Sequence, residues 1–373
     1  MANSAKYIWE QKNWPEFTWD LHALLPSLSE VRFLQGKLKG KMEGLGIELL
    51  HEAELDAVSE SVIKSSAIEG EILNPEEVRS SVAKQLGIHQ TNKVKSPKNV
   101  DGFVALVIDA TRKSSEVLNK ERLFAWHKAL FPTGNSGHEQ ISTGKWRNDK
   151  LGRMRVISGP MGKEKIHFLA PPAAQLPSEM KSFLAWLNTE NNEDPVLKAA
   201  IAQLWFLTLH PFDDGNGRIA RAISDFFLAK SDGISLRYYS MSSQIEKEKK
   251  TYYEILEKTQ KGSLDITPWI AWFLKCLNAT LVNSGQNLAQ ILFKHNFWFR
   301  ISKDSLNTRQ IKVLEKLLGN FEGNLTTTKW SKITKCSQDT ALRDIQDLVE
   351  RKILKKHSSG GRSTHYILVK SVK

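Results

Sequence analysis

His210-Pro211-Phe212-Asp213-Asp214-Gly215-Asn216-Gly217-Arg218, followed by Ile219-Ala220-Arg221, places a base, two carboxylates, two glycines and two arginines within twelve residues. Upstream, Asp194 and Pro195 form an N-cap and first-turn pair before the apolar run Val196 to Leu209, which reads as a buried helix. Downstream, Ile219, Ala222, Ile223, Phe226 and Phe227 recur at spacings of three and four, so a second helix starts just after the glycines. The stretch is therefore a loop between two packed helices.

The first N–H groups of that second helix have no partners within it, and the helix dipole adds partial positive charge there, so an anion fits. Gly215 and Gly217 allow the positive φ of a phosphate-cradling nest, and Asn216 tolerates similar geometry. Arg218 and Arg221 project toward the same region. Asp214 offers a hard oxygen ligand for a magnesium ion bridging phosphates, and His210 can accept a proton near neutral pH. Singly, each has a plain structural reading as a cap, a turn or a solvated charge. Together they describe a phosphate nest with a base beside it.

These residues resemble the signature of the Fic family of AMP transferases, HPFx(D/E)GN(G/K)RxxR, at every fixed position from His210 to Arg221. The resemblance covers roughly Ile72 to Gly262 and, more loosely, the N-terminal segment. It implies transfer of AMP from ATP to a Ser, Thr or Tyr hydroxyl of a target protein or of the chain itself. His210 would take the hydroxyl proton and Asp214 would hold magnesium. The Gly215 to Gly217 amides and Arg218 would stabilise developing charge, and Arg221 would grip the γ-phosphate.

From Leu55 a helix is expected with Leu55, Val58, Val62, Ser66 and Glu69 on one stripe and Gly70 just past its end. A carboxylate on a packing face must find a cation or stay at a solvent-filled edge; a frayed, exposed helix end is the other reading. Ser65 to Gly70 reads SSAIEG and is similar to the (S/T)xxxE(G/N) inhibitory motif found near Fic domains. That likeness implies that Glu69, with Ser65 and Gly70 around it, pairs with Arg221 and keeps the ATP γ-phosphate from settling productively.

At 373 residues and 40% apolar content the chain can fill real cores. Residues 1–20 hold no apolar signal core, and the longest apolar run falls short of the roughly 20 residues a bilayer span needs. Cys276 and Cys336 have no zinc-site spacing. The expectation is a soluble cytoplasmic protein with reduced thiols and no membrane partner. Of the net charge of +12, residues 301–373 carry +8, from 15 Lys and Arg against 7 Asp and Glu.

Tyr7, Trp9, Trp14, Phe17 and Trp19 are expected to pack the N-terminal segment onto the body. Asn74 and Pro75 open a further helix, the polar stretch Gly87 to Lys98 reads as a solvated loop, and Asp101 to Arg112 and Lys120 to Leu130 show helical spacing, with His127 as a core or cap histidine. Arg153 to Ile157 and Lys165 to Leu169 read as paired strands around a turn at 158–162. A plain surface hairpin is one reading; the resemblance implies a flap that aligns a target by strand addition, with Val156, Ile157 and Ser158 contacting ATP or target. Tyr252 and Tyr253, on a helix from Lys247 to Lys258, are adenine-site candidates by the resemblance and core residues by plain packing. Thr267 and Pro268 cap a helix from Trp269 to about Leu281, a second apolar pattern runs on to Phe293, and Phe297 to Asp304 reads as a junction.

Thr308 to Leu318, Thr327 to Ile333 and a helix N-capped by Ser337 precede two strands, Ile353 to His357 and Thr364 to Val369, around a Ser358-Ser359-Gly360-Gly361 turn. That order is a winged helix, with Gln338, Thr340 and Arg343 offered to a major groove, Lys355, Lys356 and Arg362 to phosphates, and Asp339, Asp344 and Asp347 blunting the charge. DNA binding and dimer contact are both open to it. The expected architecture is mainly α: an N-terminal helical segment (1–100), a Fic-type catalytic core with a hairpin flap (101–262), closing helices (263–304) and a winged-helix domain (305–373). Alternatives to AMP transfer are removal of AMP from a modified protein, with Glu69 aligning water, and a nucleotide-sensing DNA-binding transcription regulator. A metal-dependent hydrolase lacks the remaining ligands.

Overall fold

The computed structural model describes residues 5–89, 94–150, 152–160, 162–190, 193–233, 237–319, 321–357 and 364–369. The chain forms two compact units, Met1–Gln286 and Asn287–Lys373. Both are built mainly of helices, with small antiparallel strand pairs.

The first unit begins with α1 (Leu21–Glu43), α2 (Ile47–Ile68), α3 (Pro75–Leu86), α4 (Lys98–Arg112) and α5 (Lys120–Leu130). Helix α2 starts at Ile47, eight residues before the expected Leu55, because the Gly46 N-cap and the buried Leu49 and Ala53 extend the apolar stripe N-terminally. Its end falls as expected, with Glu69 as C-cap and Gly70 at φ 87°. Asn74 caps α3 by accepting from the Glu76 N–H at 2.9 Å. Residues 90–93, part of the expected polar loop, lie outside the described residues.

Two strand pairs follow: β1 (Asn135–Ser136) with β2 (Glu139–Gln140), and β3 (Arg155–Ser158) with β4 (Lys165–Leu169), both antiparallel. In the second pair Val156 faces Phe168 and Ser158 faces Lys165, with an irregularity between Val156 and Ile157. Met161, in the expected turn, lies outside the described residues.

Helix α6 (Leu176–Asn188) leads to α7 (Pro195–Leu209), which is buried from Val196 to Leu209 and so forms the centre of the unit. Asp194 caps it, accepting from the Val196 N–H at 2.8 Å. Helix α8 (Asn216–Asp232) packs along α7, and α9 (Met241–Lys247) and α10 (Lys249–Gln260) complete the layer.

The N-terminal aromatics dock as expected. Tyr7 packs edge-on against Phe168, the Trp9 indole donates to the Leu169 carbonyl at 2.8 Å, and Trp14 and Phe17 meet Trp205 of α7.

One expectation fails beyond Thr267. The two expected apolar segments are a single helix, α11 (Thr267–Arg300), and the division between the units falls within it. Nothing there stops a helix: Gly285 costs only about 1 kcal/mol in a helix interior, and proline is absent after Pro268. Phe297, expected in a junction, is buried in the core of the second unit with Val313, Leu314, Trp330 and Ile345.

That unit continues with α12 (Thr308–Leu318), α13 (Thr327–Thr334), α14 (Gln338–Glu350) and the antiparallel pair β5 (Leu354–Lys356) and β6 (Tyr366–Leu368). Arg343, Lys355 and Lys356 are exposed, as is Gln338, while Thr340 is half-buried against Ser337. Arg362 and the 358–361 turn lie outside the described residues. Asp344 corrects the charge reading: it is buried, takes two hydrogen bonds from Arg309 at 2.7 and 3.0 Å and one from Asn307 at 2.9 Å, and so adds no charge to the outer face of α14.

Candidate functional site

The turn between α7 and α8 is set first by His210, a C-cap residue in the left-handed conformation at φ 48° and ψ 57°. A residue with a side chain held there costs on the order of 1–3 kcal/mol and keeps that conformation only where its surroundings over-determine it. They do. The buried Arg147 donates from Nε to the His210 carbonyl at 2.8 Å and from Nη2 to the Pro171 carbonyl at 2.7 Å, and its backbone N–H reaches Pro211 at 2.9 Å. No motif in the sequence marks Arg147 for this task.

The loop is then clamped from within. Asn216 accepts from the Phe212 N–H at 3.0 Å and returns its amide to the Phe212 carbonyl at 2.8 Å. His127 stacks on the Phe212 ring at 4.1 Å, its Nε2 lies 3.1 Å from the Asp214 carbonyl, and its Nδ1 accepts from the Gly144 N–H at 3.0 Å. A ring that accepts at Nδ1 donates at Nε2, so His127 is a neutral brace; burial pushes its pKa down to about 4.

The expected nest takes a different form. Gly215 alone has positive φ, at 80°, and helix α8 begins at Asn216, so Asn216 and Gly217 belong to its first turn. The anion cradle is the helix start itself, where the N–H groups of Asn216, Gly217 and Arg218 have no acceptor within the helix. Gly217 lets Glu69 pack close: a Cβ there would stand 2.0 Å from Oε1 of Glu69, so a larger residue would push that carboxylate aside.

Both motif arginines carry a carboxylate. Arg221, 3% exposed, meets Glu69 Oε1 at 2.7 Å and also donates to the Ser65 hydroxyl and carbonyl, each at 2.8 Å. Burial works against the arginine's charge and Glu69 outweighs it, so its pKa is raised. The Glu69 side chain is 31% exposed, at a solvent-filled edge and paired with a cation. Arg218 lies over the Phe131 ring and pairs with Glu71 at 2.9 Å and with Asp214 at 3.8 Å. Sequence reasoning missed Glu71; its position two residues beyond Glu69 was the available signal.

Glu69, Gly70, Glu71, Asp214 and Arg218 line one cleft of about 730 Å³, a volume in the range of small-ligand sites. The Asp214 side chain is 44% exposed there and accepts from the Ser136 hydroxyl and the Gly215 N–H. Among the described residues no group of three or more His, Cys, Asp or Glu could hold a metal. One open carboxylate suits magnesium, which takes one or two carboxylates and completes its shell with water and substrate phosphates.

His210 Nδ1 lies 3.3 Å from the Leu207 carbonyl, which can only accept, so Nδ1 carries the proton and Nε2 keeps its lone pair. Burial pushes the His210 pKa down to about 4; Arg147 adds to that, while the Leu207 contact, Glu69 and Asp214 oppose it.

The remaining expected site residues divide. Tyr252 is buried against Trp269 and Trp272, whereas Tyr253 is 38% exposed and donates to the Ile68 carbonyl at 3.2 Å, beside the Glu69 turn. Packing explains Tyr252. On the hairpin, Ile157 and Ser158 are exposed and Val156 is half-buried. The Ser158 hydroxyl sits 2.6 Å from His167 Nε2, and His167 Nδ1 sits 2.6 Å from Glu257 on α10. This link between hairpin and helix was also missed, since Ser158, His167 and Glu257 share no local pattern.

The arrangement sets an anion-attracting helix start beside a buried histidine at the adjoining turn. Residues 117–228, which contain the whole loop, match the model of the Fic/DOC family, and residues 7–88 match a domain of unknown function, DUF4172. The chain thus carries a Fic domain. Two relatives named protein adenylyltransferase Fic, from Culex quinquefasciatus and Drosophila mojavensis, are 26% and 24% identical over 244 and 238 residues. Each alignment covers 62% of this chain and 42% of the relative, so the chain spans less than half of their length. The fold is similar to that of a Fic family protein from Desulfovibrio desulfuricans G20, with TM-score 0.54 and 20% identity over 94% of this chain and 97% of the other. A Fic domain containing signaling protein from Bacteroides thetaiotaomicron gives TM-score 0.51 and 19% identity over 70% and 95%. Among the described residues no helix is long and apolar enough to cross a membrane.

Proposed function

We propose that this chain transfers AMP from ATP to a hydroxyl of a protein, its own chain included, and that Glu69 restrains the reaction. The observation that carries the reading is His210, whose Nδ1 faces the Leu207 carbonyl and whose Nε2 takes no hydrogen bond among the described residues, at the turn whose next residues begin α8. The two named adenylyltransferase relatives agree with it.

In the reaction, Nε2 of His210 takes the proton as the hydroxyl oxygen attacks the α-phosphorus; the O–P bond forms and pyrophosphate leaves. The free amides at the α8 start and the Arg218 guanidinium face the charge that builds on the phosphate oxygens. Arg221 receives the terminal phosphate only when Glu69 gives up its 2.7 Å contact. Asp214 would hold magnesium, which neutralises phosphate charge when bound. Tyr253, exposed beside the Glu69 turn, is assigned to the adenine, and the β3 edge, with Ile157 and Ser158 exposed, offers backbone groups for a target strand.

The test uses purified protein and ATP labelled in either the α- or the γ-phosphate. Label is expected to enter protein from α-labelled ATP alone, in the Glu69→Gly variant more than in wild type. Incorporation from γ-labelled ATP would mean phosphoryl transfer and would overturn the proposal. A second reading, removal of AMP, draws on the Glu69 charge acting on His210, which suits a carboxylate that aligns water; release of AMP from the labelled product by wild type, but not by Glu69→Gly, would establish it.

A further inference from the structure

The turn after α2 brings two carboxylates to the anion site, and the proposed function uses only Glu69. We propose that Glu71 is a second, separate phosphate mimic, seated on Arg218 as Glu69 is seated on Arg221. The inference rests on the ATP reading of the cleft.

Three observations carry it. Glu71 Oε2 lies 2.9 Å from Arg218 Nη1, at ion-pair distance inside the cleft, and both residues line it. The carboxylate is held for that contact: the Glu71 N–H donates to the Ser66 carbonyl at 3.0 Å, the Ser66 hydroxyl reaches Oε2 at 3.4 Å, and the Asn99 amide reaches Oε1 at 3.5 Å. The Arg218 side chain is nine-tenths buried, yet its Nε has no acceptor among the described residues, although the other edge of the guanidinium is paired. A buried donor without a partner costs about 1–3 kcal/mol, so the guanidinium is set up to take a further oxygen.

Arg218 lies between Glu71 and Asp214, the carboxylate suited to a phosphate-bound magnesium. A phosphate that engages both Arg218 and an ion on Asp214 comes up against the Glu71 carboxylate and competes with it for the guanidinium. Glu69 and Glu71 touch different arginines, so removing one leaves the other in place. The two should also discriminate differently: Arg221 is assigned the terminal phosphate of ATP, while Arg218 serves phosphates that ADP shares. Glu71 therefore lowers affinity for either nucleotide, and Glu69 for the triphosphate chiefly.

The experiment is calorimetric binding of ATP and ADP, with magnesium, to the full chain as wild type, Glu69→Gly, Glu71→Gln and the double variant, and to Arg218→Ala with and without Glu71→Gln. Because the Glu71 side chain is 38% exposed, its removal is expected to tighten both nucleotides by about three- to tenfold. That gain should add to the gain from Glu69→Gly and vanish in the Arg218→Ala background. A gain that persists without Arg218 would be general charge repulsion and would overturn the inference, as would a gain confined to ATP. If Glu69→Gly tightens ATP and Glu71→Gln changes nothing, the inference fails while the ATP reading stands. If no variant binds either nucleotide, the ATP reading itself falls and takes the inference with it.

Discussion

The α7–α8 turn and the β3–β4 hairpin, which the proposed reaction would use together, are built in opposite ways. The turn is over-determined: Arg147, Asn216 and His127 each fix a different stretch of its backbone, and Phe212 is fully buried beneath it. The hairpin is short and largely exposed, and its polar tie to the helices is the contact of His167 with Glu257. The difference fits what the proposed reaction asks of each. A base and an anion cradle work only when their distances are held before the substrate arrives. An edge that accepts a strand from another protein must keep its backbone groups open.

The largest expected effect is at the turn. In a Glu69→Gly background, His210→Ala should reduce AMP transfer by about 10²–10⁴-fold, the usual contribution of a general base, with the melting temperature unchanged or lowered, since alanine bears the left-handed strain that only glycine would relieve. Transfer at the parent rate would remove His210 from the proton path.

Glu69→Gly comes next. Transfer should rise by about tenfold or more while stability falls by about 1–2 kcal/mol. The loss should stay below that of a fully buried pair because Glu69 is partly exposed and Arg221 keeps its two contacts with Ser65. A variant neither faster nor less stable would break the link drawn between the pair and restraint.

His127→Ala should cost about 2–4 kcal/mol, through lost packing on Phe212 and an unpaired Asp214 carbonyl, and should slow transfer with it. Chemical denaturation and labelling on one preparation measure both. Full activity in a destabilised variant would show that the turn needs less bracing than its contacts suggest.

The pH response sharpens the same contrast. His210 and His127 both have folded pKa values pushed down to about 4 from an ordinary 6.5, so the unfolded chain binds more protons between those values. Their stabilising contribution is complete above pH 6.5 and is lost as pH falls toward about 4. Melting temperatures should drop across that window, and the acidic limb of the transfer rate should fall near 4; a limb near 6.5 would mean that His210 is better solvated than its surroundings imply.

The smallest effect is at the hairpin. Glu257→Gln should raise KM for a protein substrate severalfold, with kcat little changed and stability lowered by no more than about 1 kcal/mol, since the contact is part-buried and a glutamine can keep a hydrogen bond to His167. A fall in kcat with KM unchanged would instead tie the hairpin to the chemical step.

How far the site could be read beforehand varies residue by residue. His210, Asp214, Arg218 and Arg221 lie close together in the chain, so their juxtaposition is a local fact. Glu69 was legible through the stripe it ends and the motif around it. Arg147 and the His167–Glu257 contact were not, and Glu71 was marked by its place two residues beyond Glu69 alone: these contacts span 63, 90 and 147 positions, and no helical or strand period links residues that far apart. The same limit hid Asp344, whose neutralising partner Arg309 sits on another helix.

Local chemistry written in the sequence thus determined the helices on either side of residue 210, the anion-attracting start of α8 and the presence of a base beside it, because capping, periodicity and the helix dipole act over a few residues. Tertiary structure decided the rest. It placed Gly217 in the first turn of a helix with Glu69 packed against it, turned Nδ1 of His210 toward the Leu207 carbonyl, and set a carboxylate on each of the two arginines. Those outcomes depend on which surfaces meet when the core closes, and burial then strengthens every charge interaction the closure traps.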